Sequence, residues 1–346
     1  MDFRDLKYLA AFIIPGLVLF GLEWGSYASY SAFVFAFVLV PIVEPLLSRS
    51  EENLEDAQRE QKSKSLFFDL LLYLNIPIVY FLLYLFALEI NIESLSNSEM
   101  TGHILSFGVL LASCGINVGH ELGHKDSWSA KAAAILLLTP CLYNHFYIEH
   151  NRGHHKNVAT ADDPATAKKG ELLYLFWLRS LAGSYLNAWR HEFKRLESLS
   201  RPRHHISNLM YLFTALIAVY LVSVYLIFGQ SVLLIALGCG IISVLFLETI
   251  NYVEHYGLQR RILDNGRYER VQPWHSWNSN HYLGRIILYE LTRHSDHHYL
   301  ANKKYQLLDH HDSSPELPFG YPSSMLIAMV PPLWFRIMDK RLEKAA

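Results

Sequence analysis

Long apolar runs alternate with short charged segments along the chain. Six of these runs approach the ~20 apolar residues that a helix needs to cross a bilayer. They lie at residues 6–23, 27–47, 66–88, 102–120, 208–228 and 231–252. Short connectors at residues 24–26, 89–101 and 229–231 join them in pairs. The pattern therefore predicts an all-α, polytopic membrane protein with six transmembrane helices in three hairpins.

Three further segments break this rhythm. Residues 132–143 are apolar but only about 12 residues long, the length of a buried or re-entrant helix, so we expect them to fold back without crossing. Residues 325–335 are a second short apolar piece, broken by Pro331 and Pro332, and are expected at the membrane interface. Residues 48–65 are strongly charged and are expected to form a solvated helical linker.

Basic residues fall on one side of this topology. None of the 30 Lys and Arg residues lies in the three hairpin connectors. They occupy residues 1–7, 49–64, 125–131, 152–203 and 260–344. By the positive-inside rule, both termini and the segments between hairpins are cytoplasmic. We expect one domain, residues 1–346, with a cytoplasmic cap formed by residues 120–204 and 253–346.

Composition narrows the class of protein further. Hydrophobic residues make up 51% of the chain and charged residues 18%, with a net charge of −2, so nucleic acid is not an expected partner. Cys114, Cys141 and Cys239 stand alone in apolar stretches. Without a CxxC pair the sequence predicts no disulfide framework and no thiolate metal site.

Histidine is the unusual residue, with 18 copies. Four groups stand near the predicted cytoplasmic ends of spans or in the cap, at spacings of three to five residues that place imidazoles on one helical face. They supply nine candidate metal ligands: His120, His124, His150, His154, His155, His255, His294, His297 and His298.

Nine ligands exceed the three or four of a zinc site, so two metal ions are predicted. Nitrogen ligands with open positions suit iron, although the spacing alone also allows zinc, manganese or copper. Read by itself, HELGH also matches the HExxH pattern of zinc peptidases, in which Glu121 would be the catalytic base of a one-metal site.

Acidic residues stand beside the candidate ligands. Ligating imidazoles usually donate their other N–H to a carboxylate or carbonyl, so we expect this role for Glu121, Glu149, Glu254 and Asp296, with direct metal ligation as the alternative for one of them. Three more histidines are candidates for lining the site or carrying protons: His145, His275 and His281.

Five motifs together resemble the integral-membrane alkane 1-monooxygenases of the histidine-box fatty acid desaturase and hydroxylase superfamily. They are HELGHK, EHNRGHH, NYVEHYGL, HSWNSNH and RHSDHH. The similarity is dense over residues 117–298. It implies a non-haem di-iron centre held by the nine histidines and O2-dependent terminal hydroxylation of medium- and long-chain n-alkanes to 1-alkanols.

The resemblance also implies a setting and partners. The protein would be a multi-pass protein of the cell inner membrane with a cytoplasmic active site, and rubredoxin, reduced by an NAD(P)H-dependent rubredoxin reductase, would supply electrons. Four cytoplasmic basic residues are candidates for docking an acidic carrier of this kind: Arg260, Arg261, Lys303 and Lys304. The alternatives are a fatty-acyl desaturase or hydroxylase, a xylene-type hydroxylase and, more remotely, the zinc peptidase.

Overall fold

The computed structural model describes residues 2–89 and 95–345. These residues form helices joined by turns, with three isolated β-bridges, which confirms the all-α prediction. The predicted connector at residues 89–101 falls in part on residues 90–94, which lie outside the described residues. The helices are α1 Phe3–Trp24, α2 Ser26–Leu46, α3 Asp56–Lys64, α4 Leu66–Glu89, α5 Asn97–Gly123, α6 Trp128–Leu138, α7 Leu173–Ser198, α8 Leu209–His255, α9 Tyr282–Ile287, α10 His294–Tyr299, α11 Tyr321–Ala328 and α12 Pro331–Ala345.

Among the described residues, five helices are long and apolar enough to cross a membrane: α1, α2, α4, α5 and α8. The sequence predicted six spans, and that number is not confirmed. The difference lies in α8, which runs for 47 residues through both runs predicted as the fifth and sixth spans. Within it Gly229 has φ +87° and ψ 178°, a conformation that is not helical and that suits glycine.

The short apolar run at residues 132–143 overlaps α6, a helix of 11 residues that spans Trp128–Leu138, and its last five residues follow that helix. Eleven residues rise about 16 Å as an α-helix, roughly half the thickness of the hydrocarbon core. The helix is therefore too short to span, in agreement with the sequence.

The described chain divides into two compact units. The first consists of residues 1–39, 65–147 and 189–247. In it, the Tyr80 hydroxyl of α4 donates to the Leu136 carbonyl of α6 at 2.8 Å, and Lys125 pairs with Asp69. Helix α5 contains a π-helical stretch, Leu111–Asn117, just before the HELGH segment.

The second unit consists of residues 40–64, 148–188 and 248–346. Its core is aromatic: the rings of Tyr252 and Trp334 lie 5.6 Å apart, and Trp277 is also buried. Met325 and Trp334 are 4% and 1% exposed. The piece at residues 325–335 thus contributes Met325 and Trp334 to the core of this unit, whereas Leu326, Val330 and Leu333 are exposed, and its place at the membrane interface stays a prediction.

The charged connector is also part of the second unit. The Asn53 side chain exchanges hydrogen bonds with the backbone of His310, at 2.9 and 2.7 Å, and Arg59 pairs with Asp309 at 2.8 Å. Buried Arg293 donates to the Glu52 carbonyl at 2.8 Å. Residues 56–64 form the largely exposed helix α3, in line with the expected solvated helical linker, and these contacts tie the connector to the rest of the second unit.

Candidate metal centre

Four buried histidines converge in the second unit. One ring nitrogen of each lies within 4.8 Å of the others. We call this set the four-histidine cluster: His154, His255, His294 and His298. The Nε2 atoms of His154 and His298 are 3.2 Å apart, as are those of His255 and His294. Imidazoles that bind one ion at about 2.0–2.1 Å bring their nitrogens to about 3 Å from each other, so the cluster fits a single metal ion.

Three different elements deliver these rings. His255 is the last residue of α8, while His294 and His298 lie one turn apart on α10. His154 ends a π-helical turn, His150–His154. Burial, together with the rings of His294 and His155, lowers the pKa of His298 well below its usual range. A neutral imidazole carries the free lone pair that a metal ligand needs.

A second group in the same unit contains His150, His155 and His297. The Nε2 atoms of His150 and His155 are 2.9 Å apart, and the His155 and His297 ring centroids are 4.7 Å apart. We call this the three-histidine group.

The two sets divide residues that are adjacent in sequence. His154 faces the four-histidine cluster and His155 the three-histidine group, and the neighbours His297 and His298 divide in the same way. The expectation that each box presents all its imidazoles on one face is wrong in this respect. The π-turn explains the pairing of His150 with His155, because it aligns residues five apart instead of four.

The HELGH histidines belong to the first unit. His120 lies in the last turn of α5 and His124 follows its end. Their Nε2 atoms are 3.2 Å apart, so the two rings share one helical face, as the spacing predicts. His120 is buried and His124 half-buried.

Asp163 is a buried carboxylate that the sequence did not single out. Its Oδ2 lies 2.9 Å from His154 Nδ1 and accepts the Thr166 hydroxyl at 2.6 Å, and its Oδ1 accepts the Ala165 N–H at 3.0 Å. Burial opposes ionisation, but the His154 ring and these hydrogen bonds hold the pKa of Asp163 below its usual range. Asp163 thereby fixes the ring of His154 with Nε2 turned towards the cluster.

We expect Asp163→Asn to weaken metal binding at the four-histidine cluster by about 10- to 100-fold, because the amide cannot hold the charge that orients His154. Calorimetric titration of the metal-free protein with ferrous ion measures this loss. Asp162→Asn is the matched control, since Asp162 is the exposed neighbour. Equal affinities for the two variants would contradict the role of Asp163.

Glu254 stands in a different position from the one expected. Its Oε2 lies 3.1 Å from His294 Nε2, the nitrogen that also faces His255. Its Oε1 accepts the Tyr321 hydroxyl at 2.5 Å. Burial and this carboxylate raise the pKa of Tyr321, which keeps the phenol protonated as a donor. The carboxylate therefore faces the cluster, which favours the alternative of direct ligation for this residue.

The other three acidic residues have different surroundings. Asp296 is buried and accepts from Lys303 at 2.6 Å, from His311 at 2.7 Å and from the Asp309 N–H at 2.8 Å, so it anchors the chain after α10. Burial and the nearby Asp163 raise the pKa of Glu149 well above its usual range. Glu121 is buried next to His120 in α5.

The three additional histidines are buried in separate places. His145, in the first unit, stacks edge-on against Tyr143, and burial lowers its pKa to about 4. His275 Nε2 lies 3.2 Å from Glu269 Oε1 on a surface hairpin. His281 lies against the Ser279 hydroxyl at 3.0 Å and lines a cavity beside Glu44.

Comparison with known proteins adds a family to this geometry. A sequence model of the fatty acid desaturase family matches residues 100–324, which contain all nine candidate ligands. The chain is 39% identical over 311 residues to alkane 1-monooxygenase 2 of Pseudomonas aeruginosa, covering 88% of this chain and 82% of the relative. It is 35% identical over 335 residues to alkane 1-monooxygenase 2 of Alcanivorax borkumensis, covering 96% and 87%.

A more distant match bears on the choice between an alkane hydroxylase and a xylene-type hydroxylase. The xylene/toluene monooxygenase hydroxylase component of Pseudomonas putida is 27% identical over 343 residues, covering 96% of this chain and 88% of the relative. Seven alkane 1-monooxygenases, at 34–39% identity, match better than this aromatic hydroxylase.

Proposed function

Because the chain belongs to the fatty acid desaturase family and, within it, to the alkane 1-monooxygenases, we propose that it converts medium- and long-chain n-alkanes to 1-alkanols with O2 at two histidine-held iron ions. The relatives and the histidine sets indicate an alkane-hydroxylating membrane enzyme with a histidine-ligated metal centre. The observation that carries the finer proposal is the sorting of seven histidines of one unit into two convergent sets.

In this proposal each set holds one ion. The four-histidine cluster binds one of them and the three-histidine group contributes to the other, and the family resemblance adds His120 and His124 of α5 to the ligands. The 3.2 Å spacing between the Nε2 atoms of His120 and His124 supports their use as a pair. All nine residues act as neutral nitrogen donors, and Asp163 orients His154 in its ligating direction.

The metal would supply O2 activation, a chemistry that protein side chains do not provide. The chain's own residues hold the ligand rings, exclude water and receive the alkane. Since an alkane has no polar handle, its binding depends on burial at ~0.8 kcal/mol per CH2. The active site would face the cytoplasm of a cell with the protein in its inner membrane, with the apolar substrate arriving from the bilayer.

The test is a reconstituted assay. The full chain in lipid nanodiscs is supplied with rubredoxin, its reductase, NADH, O2 and alkanes from octane to hexadecane, and products are identified by mass spectrometry. We expect 1-alkanols, and two iron ions per chain by elemental analysis. Hydroxylation at internal carbons, products desaturated in acyl chains, or a single zinc ion would each refute the proposal.

Electrons would arrive from rubredoxin at a basic surface of the second unit. Three of the four residues expected to dock it are engaged in internal contacts. Lys303 pairs with Asp296 and Asp309, Lys304 donates to the Ser63 carbonyl, and Arg260 donates to the Glu269 and Lys156 carbonyls. The fourth, Arg261, is exposed.

Arg261 belongs to an arginine-rich hairpin, residues 261–269, closed by a bridge between Ile262 and Tyr268. Exposed Arg267 lies on the same hairpin. Beside it a cleft of about 390 Å³ is lined by Arg261, the partly exposed Trp274 and Gly257. Gly257 follows the cluster residue His255 by two positions in the chain.

We expect the double charge reversal Arg261→Glu/Arg267→Glu to raise the KM for rubredoxin about tenfold at low salt, because exposed charges steer association. The kcat at saturating rubredoxin should stay within about twofold, and the difference should shrink as ionic strength rises. The lysine versions of both substitutions keep the charge and serve as the control. A KM and salt dependence equal to those of the parent would place the docking surface elsewhere.

A further inference from the structure

A cavity of about 200 Å³ lies in the second unit at the end of α2. Its lining includes the charged or titratable side chains Glu44, Arg49 and His281, and Phe319 and Gly320 are among the other lining residues. A space of this size holds more than one water molecule. Neither the nine candidate ligands nor the hairpin beside Trp274 contributes to it.

Glu44 is the unusual member of this lining. It is 2% exposed, and its Oε1 accepts the Gly284 N–H at 3.0 Å. Its Oε2 is buried without a hydrogen-bond partner. A Cβ at position 320 would overlap Oε2, so the glycine there is what makes room for the carboxyl group. A buried carboxyl with one oxygen left open can hold a proton and exchange it with water.

The charges around Glu44 do not neutralise it. Arg49 pairs with Glu316 at 3.1 Å instead. Burial, together with Arg49, lowers the pKa of His281 to about 4, which leaves that ring neutral and able both to accept and to donate. Its Nδ1 lies 3.0 Å from the Ser279 hydroxyl.

Buried polar side chains connect this cavity to α10. A Cβ built at Gly284 would lie 3.3 Å from Glu44 Oε1 and 3.4 Å from Thr292 Cγ2, so both side chains flank this glycine. The Thr292 hydroxyl is buried without a hydrogen-bond partner, two residues before His294.

The extended segment at residues 276–280, whose Ser279 N–H donates to the Thr292 carbonyl, also contains buried polar atoms without a protein partner. Ser276, Asn278 and Asn280 each carry a buried side-chain atom without a protein partner, and the Ser276 carbonyl accepts the Ser295 hydroxyl of α10 at 2.9 Å. Buried polar groups are normally satisfied by protein or by ordered water. A seam of such groups is therefore a place where bound water links one side chain to the next.

Hydroxylation needs protons as well as electrons. In the reaction RH + O2 + 2 e⁻ + 2 H⁺ → ROH + H2O, one oxygen atom enters the C–H bond and the other leaves as water with two protons. The electrons come from rubredoxin, the donor in the proposed function, and this inference rests on that function. We propose that Glu44 and the polar seam of Thr292, Ser276, Asn278 and Asn280 deliver these protons from the cavity to the metal centre. Glu44 is thus a proton-carrying residue that acts on the centre through the seam.

Glu44→Gln tests the proposal because it keeps the size and one accepting oxygen but cannot release a proton. In the reconstituted assay with saturating rubredoxin we expect kcat to fall about 10²-fold, the size of a typical proton-transfer contribution. The solvent deuterium isotope effect on kcat should rise above that of the parent, while KM for the alkane, iron content and unfolding temperature stay unchanged. Glu44→Asp keeps the acid and should recover most of the lost rate.

Two outcomes would overturn the inference. One is a Glu44→Gln variant with the parental kcat and isotope effect. The other is an equal loss of rate in Glu44→Gln and Glu44→Asp together with loss of iron or of thermal stability, which would make Glu44 a purely structural residue. If the parent protein itself makes no alkanol, the proposed function fails, and that result is distinct from both.

Discussion

Replacing His294 with alanine is expected to reduce alkane hydroxylation to background and to remove the ion of the four-histidine cluster. His294 faces two members of the site at once, with its Nε2 3.2 Å from that of His255 and 3.1 Å from Glu254 Oε2. Its loss takes away one nitrogen donor and leaves the carboxylate and the remaining rings without their common partner. Removing one partner from a buried charged contact is strongly destabilising, so the affected ion has no stable site.

Iron content per chain and alkanol formation are measured on the same preparation. We expect about one of the two proposed iron ions to remain, because the three-histidine group is made by different residues. His204→Ala is the control, since His204 is exposed and bonds to Tyr211 at 2.6 Å. A His294→Ala protein with full iron content and parental turnover would contradict the assignment of this cluster as a metal site.

The second large effect is expected for Glu254→Gln. The amide keeps the shape and can still accept the Tyr321 hydroxyl, but it lacks the negative charge that lies 3.1 Å from His294 Nε2. If the carboxylate completes the ligand set, this loss should lower both iron affinity and kcat by about 10²-fold, in the range known for groups that support metal ligands. Ferrous ion titration and steady-state turnover report the two quantities.

Tyr321→Phe separates ligation from support. It leaves the Glu254 charge in place and removes only the hydrogen bond to Oε1, so we expect a change of less than about tenfold in iron affinity. If Glu254→Gln binds iron as tightly as the parent, the carboxylate is not a ligand. If the two variants lose equal affinity, its part is limited to the hydrogen bond with Tyr321.

Much of the fold follows from local patterns in the sequence. Apolar runs of about 20 residues predict the candidate spanning helices, since a helix needs roughly that length to cross a bilayer. The shortness of the run at residues 132–143 agrees with α6, which overlaps it and is too short to span. The number of spans depends on the backbone at Gly229. This glycine lies in the predicted connector at residues 229–231, and its non-helical conformation interrupts α8 between the fifth and sixth predicted spans. Hydropathy indicates where two apolar runs are separated, but it does not give the backbone angles at the separating residue.

The candidate site was predictable residue by residue but not in its arrangement. Histidine spacing selects the rings, since residues three to five apart on a helix lie near each other. Histidine spacing does not predict that His154 and His155 belong to different histidine sets. That assignment depends on a π-turn, whose register differs from that of an α-helix. Asp163 could not be predicted from adjacency to a histidine, because it reaches His154 from nine residues away in the sequence.

Residues 325–335 and 48–65 make contacts that their composition does not indicate. Trp334 and Met325 are apolar because they fill an aromatic core, and Asn53 and Arg59 are polar because they bind the backbone and side chains of residues 309 and 310. The partners of both segments are distant in sequence, and composition carries no information about distant partners.

The attachment of the connector has a consequence for synthesis on the ribosome. Asn53 bonds to the backbone of His310, 257 residues later. At about 5–20 residues per second, the ribosome needs on the order of ten to fifty seconds to make the intervening chain. During that time the connector has none of its C-terminal partners, while the first apolar helices have already emerged. The second unit can therefore close only when translation is almost complete, and a truncated or stalled chain would present its histidines without a finished site.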